Sequence, residues 1–272
     1  MRTDADLINL VNASGVPLQL ATEREVHRAK QWELLHREHA WSYGERSGFA
    51  DLVIANKSNT VAVIECKRVR QSDWVFIIPE GAEKDCYSRI FVINTVGQGR
   101  SFKGFFDTRT TPSAFESEFC VMVGDDAKSR LLLERTASEV TVAAEAVAAE
   151  EFEQRLERLG YGYRSYISVI VTTARLSVCA VDEQSISLAT GETAAAHTSV
   201  QEVPWVRFRK QLTNDMAVAT PDLAWNPRAL SKAKEKVVYV VNAEHFATFL
   251  EKWSVVNEDL RPLMRMFDGQ SR

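Results

Sequence analysis

The sequence is poor in everything that would make it disulfide-stapled, fibrous or membrane-spanning. Its 272 residues include only four cysteines, Cys66, Cys86, Cys120 and Cys179. They lie far apart, form no C-x-x-C pair and have no histidines nearby, so neither a zinc site nor a disulfide framework is indicated; reduced, buried thiols are expected. Twelve glycines and seven prolines are too few for a collagen-like chain, and no internal repeat is visible. No apolar run approaches eighteen residues, and the most apolar one, residues 166–171, is too short to cross a bilayer. The opening Met1-Arg2-Thr3-Asp4-Ala5-Asp6 is acidic and leads into no leader-like apolar segment, so the expectation is a cytoplasmic protein with no membrane partner. Charge of one sign is also lacking. With 33 Lys+Arg against 37 Asp+Glu and a net charge of -4, any surface for nucleic acid has to be a local patch.

What is present suits a globular α/β chain. Hydrophobic residues make up 45% of it, enough to bury a sizeable core against the entropy of ordering. Residues 4–11 have a helical apolar pattern, stopped by Gly15 and Pro17. A second helix is expected over 22–29, where Thr22 and Glu25 have capping-box spacing. Strands follow over 32–43, 49–55 and 60–67, the last rich in β-branched residues, and a short apolar run spans 74–78. Residues 72–127 read as an insertion, polar and broken, with strand-like runs at 90–93 and 119–123. Residues 129–159, rich in Ala and Glu and free of Gly and Pro until the end, predict the longest helix. Later strands are expected over 166–172, 176–181, 203–208 and 237–241, with a loop at 187–198 and a closing amphipathic helix over 243–253. The division that follows is a core over 1–181 and an α/β extension over 182–272 packed on it.

The chemistry concentrates in Gly48-Phe49-Ala50-Asp51-Leu52-Val53-Ile54 and Val61-Ala62-Val63-Ile64-Glu65-Cys66-Lys67. Period-2 geometry sends Glu65 and Lys67 to one face of their strand and Cys66 to the other, into apolar packing. If the two strands form a hairpin centred on Ser58, partners have numbers summing to about 116, and Asp51 meets Glu65. Opposed carboxylates with Cβ atoms roughly 5 Å apart repel unless a cation lies between them. Two hard carboxylates with few other ligands suit Mg²⁺ holding several waters and an open face for a phosphate, with Mn²⁺ as a substitute. The Cys66 carbonyl is a candidate third ligand. Lys67, on the same face, can neutralise charge on a phosphate and orient the attacking water, so the set suits hydrolysis of a phosphodiester.

Asp51, Glu65 and Lys67, with their apolar strands, resemble the PD-(D/E)XK, or restriction-endonuclease-like, nuclease superfamily. Ala50 stands where that motif has Pro; the literal Pro221-Asp222 follows the Glu-x-Lys and so has the wrong order. Glu65-Cys66-Lys67 is the one Glu-x-Lys triplet in the chain. The resemblance implies a restriction-endonuclease-like α/β core of helix, three strands, helix and strand, in which a mixed central sheet is flanked by helices, with an insertion after the third strand and a C-terminal extension. It also implies a metal-dependent endonuclease acting on DNA, of a bacterial restriction or phage-defence type, with room for a homodimer or an activator protein. The family often adds a glutamate from the first helix. Glu23 and Glu25 are the candidates: Glu25 falls within the arc of Ala21, Val26 and Ala29, and Glu23 at its rim. Glu25 is also the partner residue of the Thr22 capping box, and both roles stay open.

Arg68, Arg70 and Gln71 continue past the active-site strand and could touch the DNA backbone without reading bases. Arg207, Arg209 and Lys210, alternating with Phe208, could extend the same groove, or be strand-edge charge. His36-Arg37-Glu38-His39 lacks the His-Glu-x-x-His order and reads as a surface strand. Gly97-Gln98-Gly99 lacks the third glycine of a dinucleotide site, and no Walker lysine or G-x-S-x-G elbow is present. Two other functions remain open from sequence: a catalytically inactive module of the nuclease fold that binds nucleic acid or protein, and an RNA-cleaving toxin.

Overall fold

The computed structural model describes residues 2–70, 72–96, 100–122, 132–157, 162–213, 231–232 and 234–256. Two helices open the chain, α1 (Asp4–Ala13) and α2 (Val16–Arg28). Thr3 and Asp6 form a reciprocal capping box on α1. Gly15 and Pro17 end one helix and also begin the next: Pro17 sits in the first turn of α2, where a missing N–H costs nothing. Thr22 is therefore mid-helix. Its hydroxyl donates to the Leu18 carbonyl at 2.9 Å, and the expected cap with Glu25 does not form.

Three strands form a meander, β1 (Trp32–Tyr43), β2 (Arg46–Asn56) and β3 (Thr60–Lys67). Gly44, with φ of 59°, leads the two-residue turn that pairs Tyr43 with Arg46; a positive φ at this position is what a tight hairpin requires. At the second turn, the Asn56 side chain accepts the N–H groups of Ser58 and Thr60. Pairs Leu52↔Ile64, Val53↔Val63, Ile54↔Ala62 and Ala55↔Val61 give the register expected from the sequence. On β3, Val61 and Val63 face one core while Ala62, Ile64 and Cys66 face another. Burial on both faces explains the unbroken apolar run.

The remaining elements are β4 (Asp73–Pro79), β5 (Asp85–Val96), β6 (Arg100–Ser117), β7 (Phe119–Met122), α3 (Leu132–Glu157), β8 (Gly162–Thr172), β9 (Arg175–Val181), β10 (Thr198–Glu202), β11 (Trp205–Gln211), β12 (Glu235–Asn242), α4 (Phe246–Lys252) and β13 (Ser254–Val255). They overturn the restriction-endonuclease-like α/β architecture expected from the motif. The described residues are mostly β, about 50% strand and 30% helix, and five strands close into a barrel. β8 pairs β12, β12 pairs β11, β11 pairs β6, β6 pairs β5, and β5 returns to β8.

The physical reason lies in residues 72–127, which are no mere insertion. Phe106, Thr108 and Thr110 alternate along β6 opposite β5, with Ile90↔Phe106 and Ser88↔Thr108 in register. Thr counts as polar in a hydropathy reading, yet its branched Cβ suits a pleated strand, and Thr108 and Thr110 are buried here. β11 and β12, from the region read as an extension, supply the other two barrel staves. The β1–β3 meander extends beyond β8 because β3 runs parallel to it, from Thr60↔Ser165 to Lys67↔Thr172. A second sheet has the order β10-β9-β4-β7.

α3 covers the face of β8, β3, β5 and β1, and α2 and α4 cover the opposite side. Trp32 of β1 donates its indole N–H to the Leu250 carbonyl of α4 at 3.0 Å, tying the meander to the C-terminal helix. Among the described residues, no helix is long and apolar enough to cross a membrane.

Candidate active site

The β2–β3 ladder stops at Leu52↔Ile64, and the residues just beyond it, in the middle of β2 and near the end of β3, carry the candidate chemistry. Asp51 and Glu65 stand one step beyond the pair Leu52↔Ile64. The Asp51 carboxylate accepts the Cys66 backbone N–H at 2.6 Å. On a strand, a residue's N–H and C=O point toward the same neighbour, so the Cys66 carbonyl looks toward the Asp51 edge as well. Glu65 accepts a hydrogen bond from Lys67 Nζ at 2.7 Å, the pairing that period 2 allows. Cys66 itself turns away: its side chain is buried, burial pushes its thiol far above the usual range, and its nearest polar contact is Thr22 at 3.6 Å. It is no nucleophile.

The electrostatics are those of a site short of positive charge. Burial raises the pKa of Asp51, and Glu38 adds to the rise, against the Cys66 N–H and Lys67. Burial also raises Glu65, helped by repulsion from Asp51 and Glu139 and opposed by Lys67. For Lys67, burial works against the ammonium, but Glu65, Asp51 and Glu139 outweigh it and hold the pKa above the ordinary value. Lys67 is thus a firm cation at neutral pH, whereas the two carboxylates resist sharing their charge.

Among the described residues, no group of three or more His, Cys, Asp or Glu side chains stands arranged to hold a metal ion. Asp51 and Glu65 nevertheless fit a hard cation that takes few protein ligands and keeps its waters. Both offer oxygen, both are partly buried, and their mutual repulsion is what a cation would relieve. Asp51, Glu65 and the Cys66 carbonyl are the groups that would hold it.

Three neighbours were not legible in the sequence. Gln19 of α2, itself buried, donates to Glu38 at 2.6 Å and to the Asp51 carbonyl at 3.2 Å. Glu38 adopts φ of 50° on β1, just past a register shift between Leu34 and His36. Glu139 reaches the site from α3. The signal for Gln19 was a helix beginning at Pro17. None existed for Glu38, whose position needs the irregular β1. That irregularity also stacks His36 on His39, with ring centroids 4.6 Å apart, although an ideal strand would face residues three apart to opposite sides.

Other expected residues fall elsewhere. Glu25 is bound by Arg24 and Arg28 on the outer side of α2, and the inward glutamate is Glu23, buried and held by Arg37 and His27. With the helix starting six residues earlier than expected, its buried stripe runs through Leu18, Gln19, Thr22, Glu23 and Val26, and Glu25 lies off it. Arg207, Arg209 and Lys210 form no groove. Arg207 is buried and engaged by Asp85, Glu116 and the Tyr87 carbonyl, Arg209 pairs with Glu235 and Glu116, and Lys210 pairs with Glu134. Their charge is taken up by these acids. Arg68 is half-buried and Arg70 exposed, close beyond β3. Gln71, Gly97-Gln98-Gly99 and Pro221-Asp222 lie outside the described residues.

Glu65 and Glu139 open onto a cleft of about 420 Å³ between the β1–β2 turn and α3, whose walls include Trp41, Glu45, Arg46 and Phe49. No family model, curated protein or solved structure matches the chain.

Proposed function

We propose that the chain is a metal-dependent nuclease hydrolysing phosphodiester bonds in DNA, with Asp51, Glu65 and Lys67 as its working groups. One observation carries the reading: the β2–β3 register sets two half-buried carboxylates side by side where the ladder ends, with a lysine 2.7 Å from Glu65, which itself lines a cleft. A Mg²⁺ ion bound there supplies Lewis-acid polarisation of a phosphoryl oxygen and a more acidic water. Asp51 and Glu65 are the anchor for that ion, and the Cys66 N–H orients Asp51. Lys67 places a fixed positive charge where negative charge grows during attack, in a partly desolvated setting where such charges act most strongly. Arg68 and Arg70 are suited to steady the flanking strand through its phosphates. The motif resemblance supports DNA as the substrate; the geometry favours no base sequence.

The test is incubation of purified protein with plasmid and single-stranded DNA in Mg²⁺, Mn²⁺ or EDTA. Cleavage is expected with either metal and none in EDTA. Lys67→Ala should lower the rate by about 100-fold or more, as removal of one preorganised charge-stabilising group does. Glu25→Ala, outside the site, should stay within a factor of about three. No cleavage of DNA by wild type under any of these conditions rejects the proposal in favour of a binding module, and cleavage of tRNA alone would reassign the substrate.

A further inference from the structure

The cleft beside Glu65 has the wrong charge for a phosphate backbone. Glu45, Glu65 and Glu139 line it against a single arginine, Arg46, whose nearest described partner is the Ser138 hydroxyl at 3.4 Å. Its aromatic groups, by contrast, are placed for a flat apolar ligand. Phe49, two residues before Asp51, is 66% exposed on the rim, so its ring is open to contact with a ligand in the cleft.

Trp41 forms the wall behind. It is 6% exposed, and its indole N–H is buried with no hydrogen-bond partner among the described residues. Such a donor costs free energy until an acceptor reaches it. The backbone is arranged to keep this ring where it is. Gly48 pairs with Trp41 across the β1–β2 hairpin, and a Cβ at position 48 would come within 2.8 Å of the ring. Only glycine lets the indole lie against the strand there.

An acidic cleft with an exposed aromatic rim and an unused indole donor matches a nucleobase. Every base has a π-face to stack on Phe49. The amino groups of cytosine, adenine or guanine can donate to Glu45 or Glu139, as carboxylates accept from cytosine in known recognition. Ring nitrogens and carbonyls offer the acceptor that the Trp41 N–H lacks. A base inside a duplex presents neither its face nor its pairing edge.

We infer that the cleft takes an unpaired nucleobase next to the scissile phosphate, so that the substrate is single-stranded DNA or a duplex with an unpaired nucleotide. This rests on the nuclease reading of Asp51, Glu65 and Lys67, and its test is made without chemistry. Fluorescein-labelled DNA is titrated with the full-length protein in EDTA as a single strand, as a blunt duplex and as a duplex carrying one unpaired nucleotide.

Wild type should bind the single strand and the interrupted duplex more tightly than the blunt duplex. Phe49→Ala should weaken binding to the first two by about tenfold, the loss expected for one stacked base, and leave the blunt duplex unchanged. Trp41→Phe, which keeps a ring and removes the N–H, should weaken the same two substrates. Equal binding of all three by wild type, no binding at all, or no effect of Phe49→Ala overturns the inference. Metal-dependent cleavage together with any of those results leaves the nuclease reading standing. Phe49-dependent strand binding without cleavage does the reverse.

Discussion

Asp51→Asn should sharply slow metal-dependent cleavage while making the protein more resistant to heat at pH 7. The two effects share one cause. Burial, with Glu38 adding repulsion, raises the Asp51 pKa above its ordinary value, and burial and Asp51 do the same to Glu65. The folded state therefore binds these protons more tightly than the unfolded chain does. The sign follows from linkage: stability from such groups is present at low pH and is lost as pH rises from the ordinary carboxylate range through the raised folded values. At neutral pH the wild type carries that cost in full. An asparagine keeps the acceptor for the Cys66 N–H and removes the charge, so its melting temperature should exceed that of wild type at pH 7, and the gap should close on acidification.

Mg²⁺ should raise the melting temperature of wild type by mass action on the folded state, and that of Asp51→Asn by much less. Cleavage should fall by on the order of a hundredfold or more, since a bound ion contributes several kcal/mol to the transition state and each 1.36 kcal/mol is tenfold in rate. A variant that melts lower at pH 7 than wild type, or cuts DNA at a comparable rate, would refute this account of the site. A similar tension between stability and activity is general where function places like charges together.

The largest effect on folding is expected at Lys236. Its ammonium is fully buried, 2.9 Å from the equally buried Glu145 of α3, with the Phe105 ring centroid at 3.7 Å. The contact pins α3 to the barrel stave β12. Lys236→Ala removes the cation that faces the buried Glu145 carboxylate, and loss of one partner of a buried pair costs about 3–5 kcal/mol. For a chain of this size, this corresponds to a fall in melting temperature on the order of 10 °C. Lys236→Met combined with Glu145→Leu should recover most of the loss, because an apolar replacement of the whole pair is often neutral or better. A single variant within about 1 kcal/mol of wild type in urea unfolding would show that the pair is solvated, contrary to the structure.

Local patterns in the sequence carried the hairpin that holds Asp51, Glu65 and Lys67. The alternation in residues 60–67, the polar turn centred on Ser58 and the single Glu-x-Lys were enough to specify the register that sets Asp51 beside Glu65, since a one-residue slip would turn the whole apolar set outward. The long Ala-rich helix was equally plain, because propensity summed over so many residues is informative. α2 starts earlier than the sequence suggests because proline both stops and begins helices, and this shift is what puts Glu23 rather than Glu25 on the buried stripe. The basic residues Arg207, Arg209 and Lys210 looked free because their partners Asp85, Glu116, Glu235 and Glu134 lie between 26 and 122 residues away along the chain.

The sequence by itself determined a pair of acids facing each other across one hairpin, with an adjacent lysine, since those depend on contacts between near neighbours in the chain. Only the tertiary structure decided that five strands close into a barrel, that Gln19, Glu38 and Glu139 converge on the acids, and that an acidic, aromatic-rimmed cleft opens beside them. Ring closure joins β5 to β8 and β6 to β11 over long stretches of chain. Pairing at that range is set by which edges remain unsatisfied once the local elements have packed, and no local pattern encodes it.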